Sequence, residues 1–196
     1  MRALLTLLLL LPPPVQALEA LILRLTLVHF PSGLWQEREI TEAAAQATAI
    51  LGQCGILPGG IEIVRADVEA RFRAFHTPTS RELARRLQPK TPAIYFVDLT
   101  RQQPAFEAEA IGRGNSRRRP ELQDTVWVVH GARDLPVALA HELSHVLMDS
   151  GEHVQIEGNL MREETLPGSI QLTAAQCSTM RSKGAANGLL QPSDKK

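Results

Sequence analysis

Residues 138–147 read ALAHELSHVL, and this stretch limits the fold more than any other. Ala138, Leu139, Leu143, Val146 and Leu147 fall at helical spacing and leave little of the helix to water. Just upstream, Asp134-Leu135-Pro136 has the form of a helix start, with aspartate as N-cap and proline in the first turn, where its missing N–H costs nothing. His141 and His145 stand four residues apart, so they lie one turn apart on one face. Two imidazoles buried side by side need a polar or metallic partner. The chain must therefore lay this helix on an apolar layer and keep the histidine face open to another ligating group.

The remaining sequence supplies the layer. Residues 21–30 alternate, with Leu21, Leu23, Leu25 and Leu27 opposite Arg24 and Thr26, and are expected as a strand. An alanine-rich amphipathic helix is expected at 37–51, then a Pro58-Gly59-Gly60 turn and a strand at 61–72. Thr79-Ser80-Arg81-Glu82 has the capping-box form and predicts a short helix ending before Pro89. Strands follow at 93–99 and 125–129, with a short edge strand at 106–111 and a polar loop at 112–123. A loop to about Leu172 precedes a second capping box, Thr173-Ala174-Ala175-Gln176, and a last helix stopped by Gly184. The expected class is α/β: a mixed, mostly parallel twisted sheet of four to five strands, an antiparallel edge strand, the histidine-bearing helix and a C-terminal helix.

The N-terminus has one arginine, an unbroken apolar run at 3–11, three prolines and then Val15-Gln16-Ala17, the form of a cleaved signal peptide at 1–17. Cleavage after Ala20 is the alternative. The run is too short for a stable membrane anchor, and no cysteine follows it to carry a lipid. A single domain is expected at 18–190 and a disordered tail at 191–196, in a secreted or periplasmic protein. Cys54 and Cys177 are the only cysteines; in an exported chain they are expected to pair, with two buried free thiols as the alternative. A formal net charge of zero gives no reason to expect nucleic acid as a partner, and Arg117-Arg118-Arg119 reads as a solvated loop, with a docking patch for an acidic substrate or partner as the alternative. A monomer is expected.

His-Glu-x-x-His carries a specific chemistry. His141 and His145 can share one zinc ion, and Glu142 can reach a water held there but not easily the metal itself. A catalytic zinc usually takes a third protein ligand. The candidates are His153, Glu157, Glu163 and Glu164, with Gly151 as the point where the helix ends and the chain turns back. Asp149 is a candidate partner for a ligand. His29, His76 and His130 lack ligand spacing and read as ordinary polar or capping residues.

His141-Glu142-x-x-His145, a glycine, His153 and a Gly158-Asn159-Leu160-Met161 turn together resemble the metzincin clan of zinc endopeptidases. The resemblance in element order runs over residues 21–184, and its specific part over 141–161. It implies a zincin-like catalytic domain at 18–190 that hydrolyses peptide bonds with one Zn2+ held by His141, His145 and His153. It further implies Glu142 as general base, Met161 as an apolar floor beneath the metal, and the 106–111 edge as a binding strip for an extended protein or peptide substrate. The clan pattern is His-Glu-x-x-His-x-x-Gly-x-x-His; here Met148 stands in the glycine place and His153 comes two residues late. No tyrosine follows Met161 as an extra ligand. With the first strand opening at Leu21, neither a sizeable propeptide nor a cysteine switch is expected, leaving control to export, an inhibitor protein or restricted access. The alternatives are a gluzincin-like hydrolase with Glu163 or Glu164 as third ligand, an inactive zincin-fold binding module, and a zinc hydrolase of non-peptide amides.

Overall fold

A computed structural model describes residues 19–164 and 166–193. Residues 1–17, expected as a signal peptide, and the last three residues of the tail lie outside the described residues. The elements in order are β1 (Leu21–His29), α1 (Glu37–Leu51), β2 (Ile56–Arg65), β3 (Ala74–Phe75), α2 (Thr77–Leu87), β4 (Ala93–Val97), β5 (Leu99–Thr100), β6 (Ala108–Ile111), β7 (Thr125–Val129), α3 (Leu135–Met148), α4 (Ala174–Ala186) and β8 (Leu190–Pro192). The main sheet runs β2-β1-β4-β7-β6. Its first four strands are parallel, and β6 closes the edge antiparallel to β7. β8 pairs antiparallel with Leu21–Leu23 of β1, which the shorter β4 leaves free. The expected α/β class and the antiparallel edge strand are both present, with β8 as an additional short strand.

β4 is apolar at every position, and β7 at every position but Thr125, because both faces of the sheet are covered there. On one face Ile94, Phe96, Val126 and Val128 pack with α1, α3 and α4 through Ile40, Ala44, Leu143, Leu147 and Met180. On the other, Tyr95, Val97 and Trp127 meet Phe72, Phe75 and Leu83. Tyr95 stacks flat on Trp127, centroids 4.0 Å apart and planes 6° from parallel. The Cys54–Cys177 disulfide forms, linking the turn after α1 to α4 across 123 residues of chain. Among the described residues no helix is long and apolar enough to cross a membrane.

Several boundaries differ from expectation, each for a local reason. β2 begins five residues early, at Ile56, and Pro58-Gly59-Gly60 is a strand irregularity rather than a turn: the register with β1 shifts between Leu23 and Leu25. Gly59 is required there, since a Cβ would strike Ile22 Cγ2 and lie 2.9 Å from Arg24 Cγ and 3.1 Å from the Leu23 carbonyl oxygen. Thr79 to Glu82 do not cap α2, which starts at Thr77; Ser80 accepts the His76 N–H from inside the helix. Asp134 occupies the N-cap place of α3 in a left-handed conformation, with its side chain unused and its carbonyl accepting from Val137 and Ala138. Gly184 does not end α4; the helix continues to Ala186 and Gly184 lies against Leu190 and Leu147. The tail expected to be disordered from 191 is a strand at Gln191 and Pro192, held by the β1 backbone.

Gly59→Ala is accordingly expected to lower stability by about 1–3 kcal/mol, the usual cost of forcing an added methyl into a filled space. Urea denaturation followed by far-UV circular dichroism measures it; an unchanged midpoint would refute the close approach of β2 to β1.

Candidate metal centre

His141 and His145 project from α3, and His153 arrives from the loop beyond it. Their Nε2 atoms form a triangle with sides of 2.9, 3.2 and 3.3 Å. On His141, Nδ1 lies 2.7 Å from the Leu160 carbonyl oxygen; on His145, Nδ1 lies 2.7 Å from that of Ser150. A carbonyl only accepts, so each Nδ1 carries the proton and each Nε2 presents a bare lone pair to the triangle. Burial holds both rings below the usual imidazole range, His145 down to about 4, the neighbouring histidines adding to the effect. Neutral imidazoles converging on one point repel unless a cation stands between them. A tetrahedral zinc with bonds of about 2.0–2.1 Å spaces its nitrogens about 3.3–3.4 Å apart, close to the observed triangle. The donor set therefore fits zinc.

The loop reaches this point by a route the sequence did not suggest. α3 ends at Met148, and Asp149, not Gly151, takes the left-handed conformation (φ 51°) that turns the chain. Aspartate tolerates this region better than most residues. Its carboxylate also accepts the backbone N–H groups of Arg113 (3.0 Å) and Gly114 (3.3 Å) in the polar loop after β6, so Asp149 braces the turn rather than a ligand. The two-residue delay before His153 is thereby split. The turning residue lies four after His145 rather than three, and His153 lies four after the turning residue rather than three. Farther on, the Val154 N–H donates to the Met161 carbonyl and closes the loop beside His153. Met161 is buried in the core shared by α3 and the sheet.

Glu142, next to the first histidine, borders two hollows. One, of about 360 Å³, is lined by Ala108, Glu109 and Ala110 of β6 with the three histidines. The other, of about 400 Å³, lies toward Phe106, Ala138 and Leu166. Desolvation pushes the Glu142 carboxyl up to about 8, against an opposing backbone hydrogen bond at Ala110 and with Glu109 adding to the rise. Glu163 borders both hollows and Glu164 the second. Among the described residues, the cluster of three potential ligand atoms mutually within 4.8 Å contains His141, His145 and His153, and none of Glu157, Glu163 and Glu164. His29 binds the Trp35 carbonyl, His130 packs edge-on against Trp35, and His76 precedes α2. The partners that sequence reasoning missed are the Leu160 and Ser150 carbonyls and the buried Asn159. Backbone carbonyls have no residue signature; only the Gly158-Asn159 pair, a turn signal, marked the spot.

No protein-family model and no curated protein sequence matches the chain. Solved structures do resemble it. Metalloproteinase-II from Bacteroides fragilis aligns over 87% of this chain with a TM-score of 0.62 and 22% identity. Archaemetzincin from Methanopyrus kandleri aligns over 82% of this chain and 94% of its own, with a TM-score of 0.54 and 10% identity. The chain spans 55% of the Bacteroides protein. At these identities the likeness establishes the fold.

Proposed function

We propose that this chain is an exported, zinc-dependent endopeptidase of metzincin type. His141, His145 and His153 hold the metal, Glu142 is the general base, and Met161 forms the floor beneath. The observation that carries this reading is the convergence of three Nε2 atoms beside a carboxylate, in a cleft bordered by an edge strand. Two structural relatives are named as a metalloproteinase and an archaemetzincin, which agrees with it.

Held by these histidines, zinc would supply Lewis acidity to a water and to a substrate carbonyl. The residues do the rest. The Leu160 and Ser150 carbonyls fix the tautomers and keep both Nε2 atoms aimed inward. A Glu142 oxygen takes a proton from the water as the water oxygen bonds to the substrate carbonyl carbon, and passes that proton to the amide nitrogen as the C–N bond breaks. Among the described residues β6 pairs with β7 alone, so its outer edge can hold an extended peptide by strand addition. The disulfide and the N-terminal signal-peptide pattern support export. Glu142 argues against an inactive module, and the composition of the histidine cluster against Glu163 or Glu164 as third ligand.

The test is hydrolysis of a mixed peptide library by the purified chain lacking residues 1–17, read by mass spectrometry. Cleavage at internal bonds is expected, lost with a chelator and restored by zinc. No cleavage in the zinc-loaded protein, or cleavage indifferent to the chelator, would sink the assignment.

A further inference from the structure

Asn159 is 1% exposed, yet lies in a loop rather than in a helix or strand. A buried amide is stabilising only if its donors and acceptors are matched. Its match is Gln176. The Asn159 Nδ2 donates to Gln176 Oε1 at 3.0 Å, and the Gln176 Nε2 donates back to Asn159 Oδ1 at 3.1 Å. Each amide has a second duty. Asn159 Oδ1 also accepts the Met161 N–H at 2.9 Å. Gln176 Oε1 also accepts the Thr173 N–H at 2.7 Å, completing the capping box of α4.

The consequence lies one residue either side. Leu160, between Asn159 and Met161, offers the carbonyl that holds His141 Nδ1. Met161 offers the carbonyl that holds Val154, the neighbour of His153. One side-chain pair therefore fixes the segment that orients two of the three histidines. Its far end is itself anchored, since Gln176 precedes the disulfide-bonded Cys177. On the other side of that disulfide, Gln53 grips the same loop through the Ile170 carbonyl and the Leu172 N–H.

We infer that the Asn159–Gln176 amide pair is a positioning device for the metal centre, transmitting the fixed start of α4 to His141 and His153. This rests on the three histidines binding metal, not on any peptide being cleaved. Outer partners of metal ligands are worth about 10–100-fold in metal affinity, and that is the loss expected on breaking the pair.

The experiment measures the Zn2+ dissociation constant by chelator competition in the full disulfide-bonded chain from residue 18. Wild type is compared with Asn159→Ala, Gln176→Glu and Gln53→Ala. Gln176→Glu is the informative variant. Glutamate serves a capping box as well as glutamine does, so α4 is kept while Asn159 Oδ1 then faces a second acceptor. Zinc binding weaker by about 10-fold or more in Asn159→Ala and Gln176→Glu is expected, with the metal-free melting temperature of Gln176→Glu near wild type. The cobalt(II) form of Gln176→Glu should also show a displaced visible absorption band, which a loss of stability alone would not produce. Gln53→Ala, which releases Ile170 and Leu172 on either side of Gln171 but leaves the Gln171 backbone bonds to Gly158 and Leu160 in place, should weaken zinc binding less than either pair variant. Wild-type affinity in Gln176→Glu, or an equal loss in Gln53→Ala, would overturn the inference and leave the proposed activity standing. Absence of zinc binding by wild type would overturn both.

Discussion

Glu142→Gln is expected to cut peptide hydrolysis by about 10²–10⁴-fold, the usual contribution of a general base, while zinc stays bound. The substitution keeps the shape and one oxygen of the side chain but cannot accept a proton at neutral pH. Glu142 lies outside the histidine triangle, so the three proposed ligands are untouched. Equal turnover by both forms would remove Glu142 from the mechanism.

A second reading on the same variant separates catalysis from stability. In the metal-free protein desolvation raises the Glu142 carboxyl to about 8, whereas an unfolded glutamate titrates near 4.3. Between those values the folded state binds a proton that the unfolded state has lost, so this group makes stability fall as pH rises. Glutamine has no such proton. Metal-free Glu142→Gln should therefore gain melting temperature relative to metal-free wild type as pH goes from about 5 to 8. A bound cation nearby favours the carboxylate and should shrink the difference.

What the sequence made legible was periodicity and paired chemistry. α1 and β7 have the expected bounds because one shows helical spacing and the other is an apolar, β-branched run closed by polar residues. The capping box at Thr173 is present because its serine/threonine-to-glutamine spacing is a local signal. The same pattern at Thr79 misled, because Pro78 and His76 let the helix begin one turn earlier. Pro58-Gly59-Gly60 misled because a bulge and a turn use the same residues; only the neighbouring β1 decides between them. Around the histidines, spacing located the two α3 members of the cluster but not the turn. Glycine is the usual turning residue, so Gly151 drew attention, while Asp149 was fixed by two backbone N–H groups of Arg113 and Gly114, more than thirty residues earlier. Such a choice is made by tertiary contact and leaves no local trace.

That turn is why the third ligand yields the other large prediction. His153→Ala is expected to weaken zinc binding by more than the roughly 10–100-fold that outer partners are worth, since it removes one of the three proposed donors. Hydrolysis should fall with it. His153 is exposed, unlike His141 and His145, so the loss should come with little change in the metal-free melting temperature. Glu163→Gln and Glu164→Gln are the matched controls. Both carboxylates border the hollows around Glu142 but lie outside the triangle, so their removal should leave zinc affinity near wild type while altering which peptides are cut. If instead His153→Ala kept wild-type affinity and one of the glutamine variants lost it, the third donor would be a carboxylate. The metzincin pattern would then be a coincidence of spacing, although His141, Glu142 and His145 could still perform the same proton transfers. The Asp149 turn weighs against that outcome. It places one extra residue before the reversal and one after it, and so carries His153 to the histidine pair despite the longer interval.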